Sequence, residues 1–166
     1  MEIVDIHFNK NKQVRLVVEM PNPEHISTTQ SPHLPKMLFK LFPHLSRHRC
    51  HNDEGIPFRK ECLDTEIPHL FEHLIIEIQG NIAKTSAFKG ETEWDWRIDP
   101  RGRFYVTVDY DDEFLVLGSI RLAQRIINAL DNKVIDAVNV EEEVSRLEEL
   151  VKIARQIKEG NKPSFT

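Results

Sequence analysis

The sequence predicts an α+β fold, an antiparallel sheet of about four strands with helices packed on one face. Two observations carry this. The order of elements is one strand, then helices, then a run of three short strands, then two helices, rather than strict alternation of strand and helix. The long apolar patterns repeat at helical spacing, while the strand candidates are short and rich in β-branched and aromatic residues.

Each element has its own signal. Arg15–Met20 (RLVVEM) reads as a strand closed by the Pro21-Asn22-Pro23 breaker. Residues 22–33 are polar and proline-flanked, which predicts a loop, and Leu34–Leu41 has the spacing of a short helix stopped before Pro43. His44–Leu63 follows as a long irregular stretch with Gly55 and Pro57 inside it; stretches of that kind in compact domains are often functional. Asp64 or Thr65 is placed to cap the next helix, with Pro68 in its first turn, and Gly80-Asn81 reads as its end after Gln79. Ile82–Phe88, Thr92–Ile98 and Phe104–Tyr110 are strand candidates, the last two joined through an Asp99-Pro100-Arg101-Gly102 turn. Glu113–Leu130 and Val140–Ile157 are amphipathic helices.

Composition narrows the function. A chain of 166 residues, 40% hydrophobic and 30% charged, fits one domain over residues 1–166 with a real core. No apolar run approaches the length of a membrane span, and the N-terminus lacks a basic start before an apolar run. Two cysteines, Cys50 and Cys62, are too few for a disulfide framework. These features point to a cytoplasmic protein without a membrane partner. The net charge of −5, with no Lys/Arg stripe, disfavours nucleic acid. Residues 91–113 hold eight acidic residues against three arginines, a solubilising edge or a lure for a cationic ligand.

The chemistry concentrates on the helix after Thr65. At about 100° per residue, Leu70, Phe71, Leu74, Ile75 and Ile78 share one broad face, which is the one to bury. His69, Glu72 and His73 lie together opposite it, with Glu77 one turn beyond His73. Histidines at i and i+4 reach one metal ion, zinc suits imidazole and carboxylate ligands, and Glu72 is placed to take a proton from an attacking water. The order His69-x-x-Glu72-His73 is the inverted zinc-peptidase motif of pitrilysin-like enzymes. A hydrophilic helix face making weak surface pairs is the competing explanation. Glu77 ranks first as third ligand, Glu113 second and Glu149 third. Cys50 and Cys62 with histidines form a further zinc alternative, but their spacing matches no familiar zinc site, and two ordinary buried thiols are the favoured explanation.

Three segments in order, LFPHLSRHRC (Leu41–Cys50), HLFEHLIIEIQG (His69–Gly80) and YVTVDYDDEFLVLGSIRLAQRIINAL (Tyr105–Leu130), resemble the N-terminal domain of cyanophycin synthetase. His48-Arg49-Cys50 and His69-x-x-Glu72-His73-x3-Glu77-x-Gln79 are the most telling pieces. The resemblance implies a domain that holds a poly-aspartate polymer bearing arginine on its side chains and, in some members, hydrolyses it at a metallopeptidase-like centre. Carried over, that centre is Glu72 as catalytic residue, with His69, His73 and Glu77 as metal ligands. These 166 residues hold no Gly-rich phosphate loop and nothing that resembles the synthetase's ligase domains, so the expectation is that the chain is not a ligase by itself. The expected partner is a cyanophycin-like polymer or peptide, and Arg49 is a candidate to grip its carboxylates, with His48 beside it. His48 and His51 are also candidates to ligate a metal or to orient its ligands, against the commoner outcome of plain surface histidines, and Trp94, Trp96 and the acidic run Asp111–Glu113 are candidates for contact with arginine. One glycine in the Asn52–Cys62 loop, Pro68 before His69, and Glu66 depart from the family's usual residues. The function expected is zinc-dependent hydrolysis of amide or isopeptide bonds; the alternative is a module that binds a charged polymer or partner without cleaving it.

Overall fold

The computed structural model describes residues 1–50 and 55–160. Among them four strands form one antiparallel sheet: β1 (Glu2–Phe8), β2 (Gln13–Glu19), β3 (Gly90–Glu93) and β4 (Arg103–Asp109), in the order β1-β2-β4-β3. Five helices accompany it: α1 (His33–Leu41), α2 (Phe58–Glu61), α3 (Ile67–Ala83), α4 (Glu113–Asp131) and α5 (Val140–Lys158). Val14, Leu16 and Val18 of β2 and Phe104, Val106 and Val108 of β4 alternate inward and are fully buried, whereas Arg15, Tyr105 and Thr107 face outward. This period-two pattern leaves one wet face and one face for helices. α3 packs on β3, β4 and α4, and α4 carries α1 and α5 in turn. The expected α+β architecture is therefore the observed one.

Several boundaries differ, each for a physical reason. β1 escaped the sequence pattern because its register to β2 slips between Ile3 and Asp5, which breaks the alternation of this edge strand. Ile82–Phe88 is not a strand. α3 continues through Gly80 to Ala83 and closes on Lys84, whose φ of 57° is left-handed. Gly80 is not a helix stop; a Cβ there would lie 2.7 Å from the Thr85 carbonyl oxygen, where the chain folds back over the helix end. Neither Asp64 nor Thr65 caps α3: the N-cap is Glu66, without a side-chain cap bond. The Thr92–Ile98 candidate keeps only its start, since β3 ends at Glu93. The turn before β4 holds, with Gly102 at φ 96° and Arg103 N–H donating to the Pro100 carbonyl at 3.1 Å. The irregular 44–63 stretch contains a 3₁₀ turn at Pro43–Arg47 and then α2. No helix among the described residues is long and apolar enough to cross a membrane.

Candidate functional site

α3 is buried on nearly every side. Leu70, Phe71, Leu74, Ile75 and Ile78 face the core as expected, but Glu72, His73 and Glu77 are also buried, at 3%, 4% and 6% exposure. The opposite face is therefore not a solvated stripe. It is roofed by β3 on one side and by His48, Cys50 and Phe58 on the other, and a cavity of about 1350 Å³ opens between them. Burying that many ionisable groups costs several kcal/mol unless each finds a partner. The partners are specific.

His69 Nδ1 lies 2.8 Å from Thr65 Oγ1, and its Nε2 lies 3.3 Å from Cys50 Sγ. His73 Nδ1 meets His48 Nδ1 at 3.1 Å, and Phe58 stacks on the His73 ring with centroids 3.8 Å apart. His48 Nε2–H donates to Glu77 Oε2 at 2.7 Å, while Asn81 Nδ2 donates to the other Glu77 oxygen at 3.3 Å. Thr92 of β3 donates to Glu72 Oε2 at 2.6 Å. β3 comes this close because residue 90 is glycine: a Cβ there would lie 2.7 Å from Glu72 Oε1 and 2.8 Å from its Cγ.

Burial drives the electrostatics. It lowers His69, against the opposing charges of Glu61 and Glu66, and it lowers His73 well below the ordinary range, aided by the neighbouring His69 and His48. Both imidazoles are thereby held neutral, the form that binds metals. Burial also pushes Glu72 up to about 7, with Thr92 opposing and Glu91 and Glu61 adding to the rise. That is the range in which a carboxyl both takes and gives protons at neutral pH. The Cys50 thiol is pushed up to about 12 by burial and by Glu61, so it stays protonated and is a poor nucleophile by itself.

One group of side chains among the described residues has ligand atoms close enough to share an ion: Cys50, His69 and His73, all within 4.8 Å of one another. Two imidazoles and a thiol are a donor set that zinc accepts readily, and a cation's charge reverses the raised thiol pKa. Glu77 lines the same cavity but is held by His48 and Asn81. Glu113, at the start of α4, and Glu149, on α5, are exposed and line no part of the cavity. Cys62 is buried elsewhere, with Sγ donating to the Arg59 carbonyl at 3.3 Å, and its thiol is pushed up to about 11 by burial.

Arg49 is exposed on the rim with Trp94, which is 40% exposed. Trp96 turns away, its Nε1–H on the Arg103 carbonyl at 3.1 Å and the Arg101 guanidinium over its ring. Asp112 caps α4 through Leu115 N–H at 2.9 Å and also receives Arg155 Nε at 2.9 Å. His51 lies outside the described residues. Thr92, Phe58 and Gly90 were missed by sequence reasoning, because their roles arise from contacts across elements that no local spacing encodes, whereas Thr65 stands four residues before His69 and was read only as a helix cap.

The one-sided sheet and the buried helix of histidines and carboxylates together define an α+β domain organised around a polar cavity. The chain belongs to the cyanophycin synthase-like N-terminal domain family, whose model matches residues 15–132. That span runs from β2 through α4 and includes every side chain described at the cavity. No curated protein matches the chain.

Proposed function

We propose that this domain is a zinc-dependent hydrolase of amide or isopeptide bonds in a cyanophycin-like or other peptide substrate. The observation that carries it is the convergence of Cys50, His69 and His73 beside a buried Glu72 with a pKa of about 7. The likeness to pitrilysin-like enzymes in the His-x-x-Glu-His order supports the same reading. Zinc held by these residues supplies polarisation of the scissile carbonyl and acidification of a water. Cys50 replaces Glu77 as the third ligand, since Glu77 is already engaged by His48.

Glu72 takes the proton from the water that attacks the carbonyl carbon and returns it to the leaving nitrogen as the C–N bond breaks. Thr92 holds one oxygen of that carboxyl, so the other is the one that moves the proton. Arg49 on the rim meets substrate carboxylates, and Glu61, Glu66 and Glu91 around the cavity meet guanidinium groups.

The test is hydrolysis of β-aspartyl-arginine peptides by zinc-loaded protein. Wild type releases the amine, and Glu72→Gln keeps its metal but loses turnover by at least about 10²-fold. Equal turnover by Glu72→Gln would sink the proposal. A second reading, a module that binds a charged polymer without cleaving it, is favoured by the breadth of the cavity, which at about 1350 Å³ exceeds a small-molecule pocket. It predicts wild-type polymer affinity in Glu72→Gln and His69→Ala alike.

A further inference from the structure

The contacts of His48 fix more than its own position. An ionised carboxylate only accepts hydrogen bonds, so at 2.7 Å from Glu77 the proton must sit on His48 Nε2. A neutral imidazole with its proton on Nε2 has a lone pair on Nδ1. His73 Nδ1 faces that lone pair at 3.1 Å, and one of two nitrogens at that distance has to donate. With His48 in its neutral form, His73 carries its proton on Nδ1, and its Nε2 is left with the lone pair.

His69 has partners of its own: Nδ1 lies 2.8 Å from Thr65 Oγ1 and Nε2 lies 3.3 Å from Cys50 Sγ. Of the two histidines one turn apart, one is oriented by the residue beside the helix start and the other by a side chain imported from a different segment. Residues 48 and 50 are two apart, so one short stretch brings both an orienting ring and a thiol to α3.

We propose that His48 and Glu77 are positioning residues: the Glu77 carboxylate, acting through the His48 ring, locks His73 in the Nδ1-protonated tautomer so that its Nε2 is offered to a divalent cation together with Cys50 and His69. The cation in this inference rests on the metal centre proposed above; the tautomer does not. Outer partners of metal-binding histidines generally set tautomer and ring orientation, and losing one costs about 10–100-fold in metal affinity. Here the chain is one imidazole longer than the usual carboxylate–histidine pair. Burial of Glu77 and His73, with Phe58 stacked on the His73 ring, leaves the rings little freedom to turn.

The test uses the whole chain labelled with ¹⁵N-histidine. In metal-free wild type at neutral pH, His73 shows a protonated Nδ1 and an unprotonated Nε2. His48→Phe and Glu77→Leu lose that signature, and each weakens zinc by about 10–100-fold in chelator competition. His48→Gln, whose amide oxygen can accept from His73 Nδ1–H, recovers both the tautomer and an affinity near wild type. A protonated Nε2 on His73 in wild type overturns the proposal, and this arm needs no variant to fold. An unchanged tautomer in folded Glu77→Leu overturns it equally. Failure of the metal centre looks different: wild type binds no zinc while His73 remains Nδ1-protonated, which removes the cation from the inference and leaves the lock.

Discussion

Glu72 couples the site to stability as well as to chemistry. Its carboxyl titrates at about 7 in the folded chain against an ordinary 4.5, so the native state binds the extra proton between those values. Stability therefore falls as pH rises through that window, by about 3 kcal/mol in total for a shift of this size. Glu72→Gln removes the titration. In metal-free protein its denaturant midpoint should match wild type near pH 5 and exceed it at pH 8; equal midpoints at both would show that Glu72 is not desolvated. The sequence exposed this residue because the His-x-x-Glu-His order is local and falls on a helix. Cys50 carried no such signal: it stands 19 positions before His69 across a stretch without periodicity, and only the folded chain brings its sulfur within 3.3 Å of that ring. Glu77 shows the converse, since its place on the helical stripe was legible but its partner His48 was not.

At the scale of elements, the site depends on how closely β3 and the chain after α3 approach the helix. Gly90→Ala should push the Glu72 carboxyl off Thr92. Because the clash is with a side chain, stability should change by about 1 kcal/mol or less while turnover falls about 10²-fold with zinc retained. Measured unfolding together with steady-state kinetics separates the two; unchanged turnover would contradict the packing of β3 on Glu72. Gly80→Ala meets backbone instead, so its expected effect is a loss of about 1–3 kcal/mol in stability. The same contact explains why the end of α3 was misjudged from sequence, where a glycine inside an amphipathic run looks like a cap. The two long C-terminal helices were read nearly to the residue, because they keep a clear apolar stripe and have Asp112 and Asn139 as side-chain caps. β1 was not, because an edge strand with a slipped register loses period two.

For the whole molecule, the cavity ties the sheet edge, α3 and residues 44–50 into one unit, and a ligand shared between them should stabilise the fold. Zinc in free excess of about 100 times its dissociation constant adds about 2.7 kcal/mol, or roughly 5–10 °C in melting temperature for a domain of this size. Chelator should reverse this rise, and His69→Ala should show none of it. A rise of equal size in His69→Ala would place the ion elsewhere. The antiparallel sheet with helices on one face was legible because apolar residues alternate on β2 and β4, but the strand order was not, since β1 gave no pattern and Ile82–Phe88 is not a strand. The cavity was not, since it depends on which segments roof a helix that is apolar on one side and buried on both.

The zinc-to-protein ratio of untagged chain, purified and then reconstituted, bears most directly on the centre. About one zinc per chain is expected in wild type, Glu72→Gln and Glu77→Gln, and none in Cys50→Ser, His69→Ala or His73→Ala. Wild type without zinc after reconstitution, or Cys50→Ser and His73→Ala retaining it in full, would contradict a metal held by Cys50, His69 and His73.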